Sequence, residues 1–145
     1  MTDSSIPNIR VWSFGKQYVE AAEVLLDTNR VLPATVLSAL ALEVLLKSFF
    51  ATSDDRGRSK TERGHNLPTL FGLLPSKDQD DILISFREID STTVLPDALL
   101  KYNDVFAKAR YFYEPTSPLS VSSEIIYFAR DFCAAVFEVA KSRNL

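Results

Sequence analysis

What this sequence has little of limits what it can be. It holds one cysteine and one histidine in 145 residues. Cys133 therefore has no partner for an internal disulfide, and a single His cannot complete a zinc-type Cys/His ligand set. No metal or cofactor is expected. There are only four glycines, and none stands in a phosphate-cradling GxxxxGK[ST] or GxGxxG pattern. HExxH and GxSxG are missing as well, so nothing marks a metalloprotease helix or a serine nucleophile. Positive charge is not in surplus: 16 Lys and Arg stand against 19 Asp and Glu, for a net charge of -3. That argues against a protein that coats nucleic acid with a general basic surface, although a small local patch stays compatible. The longest apolar run, residues 36–46, is short of the roughly 20 residues that span a bilayer. With no signal-peptide pattern in "MTDSSIPNIR", a cytoplasmic location without membrane attachment is expected. Strand-type alternation and internal repeats are absent too.

What is present is helical. The length fits one domain, residues 1–145, large enough to bury a core without staples. A first amphipathic pattern covers about residues 9–30, with Val11, Phe14, Tyr18, Ala21, Ala22 and Leu25 at helical spacing. A second begins at Pro33, a residue suited to a first helical turn, and continues to about residue 52. It is apolar on every side, which marks a buried central helix. "SDDRGRSKTERG" (residues 53–64) has no large apolar side chain and reads as a surface loop. A short helix follows, with Leu67, Leu70, Phe71 and Leu74 on one face, ended by Pro75. Ser76 and Gln79 then form a capping-box pattern for a helix to about residue 90. Another opens at Pro96 and carries Leu99, Leu100, Val105, Phe106 and Ala109, until the prolines of "RYFYEPTSP" break it. The last covers about residues 122–142, with a stripe of Ile125, Phe128, Ala129, Phe132, Val136 and Ala140. The fold expected is all-α: a mostly antiparallel bundle of four to five helices with one or two short accessory helices, at residues 67–74 and 78–90.

Few residues stand out chemically. Glu43 and Lys47 lie at i, i+4 inside "ALEVLLKSFF". Their stripe also holds Val36, Leu40 and Phe50, so a partly shielded pair is expected, open both to structural pairing and to a site role. His65 sits between Gly64 and Asn66 just before a helix start. It can seat the loop on the bundle, or do acid–base work, since histidine titrates near neutral pH. Arg110, Tyr111 and Tyr113 in "KARYFYEP" can complement a helix dipole, or grip a phosphate and stack on a base. Cys133 and Trp12 read as packing residues.

The ordered series "SALALEVLLKSFF", "GHNLPTLFGLL" and "KARYFYE" resembles the HEPN superfamily. The nearest branch is the non-ribonuclease type found beside minimal nucleotidyltransferases. There a helix with A…E..LK precedes an H-[ND]-L…L helix start and a later aRY, here Glu43, Lys47, His65, Asn66, Leu67, Arg110 and Tyr111. The similarity covers about residues 34–113. It implies a helical bundle, often a homodimer, that acts in RNA cleavage or nucleotide binding within toxin–antitoxin, defence or stress systems. A nucleotidyltransferase or other partner protein is implied as well. Glu43, Lys47, His65, Arg110 and Tyr111 would converge as one polar cluster with Tyr113 near it, either a structural lock or a nucleotide or RNA site. Ribonuclease members carry Arg, four to six residues, then His late in the chain. Here no histidine follows Arg110 or Arg130, and the one formal match, Arg58 with His65, lies in the first half. The expectation leans away from an enzyme. The alternatives are a divergent metal-independent ribonuclease using His65 and Arg110, and a non-catalytic dimeric partner subunit.

Overall fold

A computed structural model describes residues 6–53, 59–60, 64–105, 108 and 123–143. Among them are six helices: α1 (Ile9–Asp27), α2 (Val31–Lys47), α3 (Leu67–Leu73), α4 (Ser76–Ile89), α5 (Leu95–Lys101) and α6 (Glu124–Ser142). The protein is an all-α helical bundle. A two-residue antiparallel pairing, Thr52 with Lys60 and Ser53 with Ser59, is the one extended element among the described residues.

α1 and α2 form a helical hairpin. Asn8 caps α1, its side chain accepting from the N–H groups of Arg10 and Val11 at 3.0 and 3.2 Å. Its own N–H donates to the Ser48 carbonyl just past α2, at 2.7 Å. The start of one helix is thereby tied to the end of the other. Asn29, at φ 62, takes the left-handed conformation in the turn that joins them. Gly15 lets the helices come close, because a Cβ there would lie 2.8 Å from Leu45 Cγ. α6 packs on α1, α2 and α4. Its expected stripe of Ile125, Phe128, Ala129, Phe132, Val136 and Ala140 is buried throughout. Trp12 is buried too: its indole N–H donates to the Cys133 carbonyl at 3.2 Å, and its ring lies 5.0 Å from Phe137.

Several local expectations are corrected. α1 stops at Asp27 and buries Trp12, Gly15, Val19 and Ala22, whereas Phe14 is exposed. Of the expected stripe Ala22 is buried and Tyr18 and Leu25 pack against the core, while the close approach at Gly15 turns the buried face toward Trp12 and Val19. α2 starts at Val31, two residues before Pro33. The Ser76–Gln79 capping box does not form. Pro75 takes the cap position, and Gln79 Nε2 instead donates to the Leu74 and Gly72 carbonyls at the end of α3, at 2.8 and 3.3 Å. α4 is no accessory: it buries Ile82 and Phe86, and Phe86 meets Phe128 edge-on at 5.5 Å. α5 ends at Lys101, and a turn at residues 102–104 interrupts the expected helix before the chain is helical again at Val105 and Lys108. In that turn the Asn103 side chain accepts the Leu67 N–H at 2.7 Å, while Tyr102 packs against Phe128 at 5.5 Å. Phe106, Ala109 and the "RYFYEPTSP" break lie outside the described residues.

Candidate functional site

The polar corner of the molecule is built where α2 ends and α3 begins. On α2 and the turn just past it, residues 36, 40, 43, 47 and 50 form a half-buried stripe. Most of the remaining helix surface faces the core. Lys47 Nζ donates to Glu43 Oε2 at 3.2 Å, one helical turn away. Both side chains are shielded, at 15% and 12% exposure. The pair is thus neither a trivial surface contact nor fully buried, which is what its apolar stripe implies.

The second partner comes from far along the chain. His65 Nδ1 lies 2.8 Å from Glu43 Oε1. Its placement is local in origin. Gly64, at φ 116, turns the chain in a conformation that side-chain-bearing residues rarely adopt, with open space around it. Asn66 caps α3, its side chain accepting the Thr69 N–H at 2.9 Å. The next N–H, of Leu67, is held by Asn103. Leu67, Leu70 and Phe71 are buried and seat α3 on α2 and α5. His65 is therefore fixed from both sides while its ring is left open, at 77% exposure.

An ionised carboxylate only accepts hydrogen bonds, so the bond to Glu43 places the proton on Nδ1. Nε2 is then left on the solvent side of a ring whose orientation the carboxylate holds. One carboxylate thus collects two donors, as a shielded charge requires. It also presents an oriented imidazole that can accept a proton, or donate a hydrogen bond once protonated. Of the residues singled out in the sequence, Glu43, Lys47 and His65 come together. Arg110, Tyr111 and Tyr113 lie outside the described residues, as does Arg58. Among the described residues no three His, Cys, Asp or Glu side chains group as metal ligands.

A second charged cluster carries no family motif and escaped sequence reasoning. Asp78, fully buried in the first turn of α4, accepts from Arg143 Nη1 at 2.5 Å, and Asp81 accepts from Arg143 Nη2 at 2.7 Å. The guanidinium holds the Asp81 carboxyl below its ordinary range. The only signal was an i, i+3 aspartate pair opposite an Arg near the end of a later helix. Cys133 is a core thiol, pushed up to about 11 by burial, which makes it a poor nucleophile. Among the described residues no helix is long and apolar enough to cross a membrane. Comparison with known proteins found no matching family model, curated protein or solved structure.

Proposed function

We propose that this chain is a HEPN-like helical binding module, associated with a nucleotide or RNA, and working within a toxin–antitoxin, defence or stress system. The observation that carries the reading is the Glu43 carboxylate held between Lys47 and His65. The series E..LK and HNL supplies those three residues, and the geometry is suited to phosphate. An exposed imidazole lies beside a shielded ammonium at one corner of the bundle, Glu43 orients both, and the imidazole becomes a second charged donor toward phosphate once Nε2 takes a proton. Arg110 and Tyr111 or Tyr113 would add a guanidinium and a stacking ring. A homodimer, or a complex with a nucleotidyltransferase, fits the same reading.

The test is equilibrium binding of adenine nucleotides and short single-stranded RNA to wild type, His65→Ala, Glu43→Gln and Arg110→Ala. Saturable binding by wild type that weakens in His65→Ala and Arg110→Ala supports it; equal, negligible binding in all four removes the ligand reading. The Glu43–His65 bond also favours a second reading, a divergent ribonuclease in which Nε2 takes a proton and Glu43 holds the ring. Incubation with cellular RNA decides between them: cleavage by wild type and none by His65→Ala would make the protein an enzyme.

A further inference from the structure

Away from Glu43 and His65, a cavity of about 380 Å³ opens between the end of α4, α5 and the start of α6. Its size lies within the range of small-molecule sites. Three aromatic rings line it, Tyr102, Tyr127 and Phe128, together with three carboxylates, Asp90, Glu124 and Asp131, and one ammonium, Lys101. Two of the rings already face cations. Lys101 Nζ stands 5.3 Å from the Tyr102 ring centre, and the Arg130 guanidinium stands 5.1 Å from that of Tyr127. Such faces attract positive charge through the ring quadrupole, and do so best where water is partly excluded.

Both oxygens of Asp90 are engaged, and one each of Glu124 and Asp131. Asp90 accepts from the hydroxyls of Thr92 and Thr93 at 2.7 and 2.6 Å. Glu124 accepts from Lys101 at 2.9 Å, and Asp131 from Arg130 Nε at 3.1 Å. A ligand here finds carboxylates and π-faces together. That combination suits an organic cation, and aromatic faces of this kind are how quaternary ammonium groups are held.

We propose that this cavity binds a small quaternary ammonium ligand, seated against Tyr102, Tyr127 and Phe128 and held by the field of Asp90, Glu124 and Asp131. Lys101 covers one of these ring faces and competes with the ligand for it. Its side chain is 62% exposed, so it can swing away.

The test uses the full chain at fixed ionic strength, with choline as the probe and 3,3-dimethyl-1-butanol as its uncharged isostere. Aromatic proton shifts of Tyr102, Tyr127 and Phe128 are followed by NMR. Choline is expected to shift these signals saturably and the isostere to leave them unchanged. Tyr127→Leu and Glu124→Gln, both at exposed positions, should each weaken choline binding, roughly tenfold for the ring. Lys101→Met should tighten it, because a competing cation is removed. Absence of choline-dependent shifts in wild type, equal shifts with the isostere, or unchanged affinity in Lys101→Met and Tyr127→Leu would overturn the proposal. Native far-ultraviolet circular dichroism in each variant separates lost binding from lost fold.

Discussion

Asp90 shows how a single side chain at the surface edge, half-buried, can be specified by its neighbours. It ends α4, and the hydroxyls of Thr93 and then Thr92 hold its carboxyl down from 3.8 to about 2. A carboxyl depressed in the folded state stabilises above its unfolded value, and that contribution fades as pH falls toward the folded value. Thr93→Val should therefore raise the Asp90 midpoint in a carboxyl NMR titration. The stability gap between Thr93→Val and wild type should be open at pH 6 and closed by about pH 2. Gly64 is the other residue whose identity matters alone. At φ 116, with open space for 4 Å around the place a Cβ would take, alanine meets strain from the backbone and not from neighbours. Gly64→Ala should cost on the order of 1–3 kcal/mol locally, and free the His65 ring from Glu43. Imidazole nitrogen shifts would read this as loss of a single Nδ1–H tautomer. An unchanged tautomer pattern would mean that Gly64 does not position the ring.

At the scale of elements, the sequence was legible where one face is apolar and the other is not. The α6 stripe is such a case, and all its named residues are buried. It was less sharp in α1, where the stripe is off by part of a turn: Phe14 is exposed, Tyr18 and Leu25 pack only partly on the core, and the close approach of Gly15 to Leu45 centres the buried face on Trp12 and Val19. A small residue whose role is close approach leaves no hydrophobic signal. Gly15→Val should cost about 1–3 kcal/mol by overpacking Leu45, measured by denaturant unfolding. The partial shielding of Glu43 and Lys47 was also readable, from the apolar stripe they share. The bond from Glu43 to His65 was not readable from helix periodicity, because it crosses 22 residues; only the order of motifs suggested it. The Asn66 side chain caps α3, and Asn66→Ala should cost about 1 kcal/mol in denaturant unfolding.

For the whole molecule, the Arg143 fork is the longest-range charged tie among the described residues. It joins the far end of α6 to the first turn of α4, across 65 positions to Asp78 and 62 to Asp81. Arg143→Met deprives a fully buried Asp78 of its guanidinium and should lower stability by about 3 kcal/mol at neutral pH. Because the fork holds Asp81 below the ordinary carboxylate range, that share of the difference is present above this range and disappears as pH falls through the folded value. Urea midpoints of the two proteins should converge in acid; a constant gap down to pH 2 would assign the loss to packing. The placement of Trp12 has an experimental consequence. It is the chain's single tryptophan, buried where α1 meets α6, with its N–H on a carbonyl of the facing helix. Its emission is thus an intrinsic optical gauge of that seam: blue while α1 is docked, red when α1 lifts away, and readable without a label.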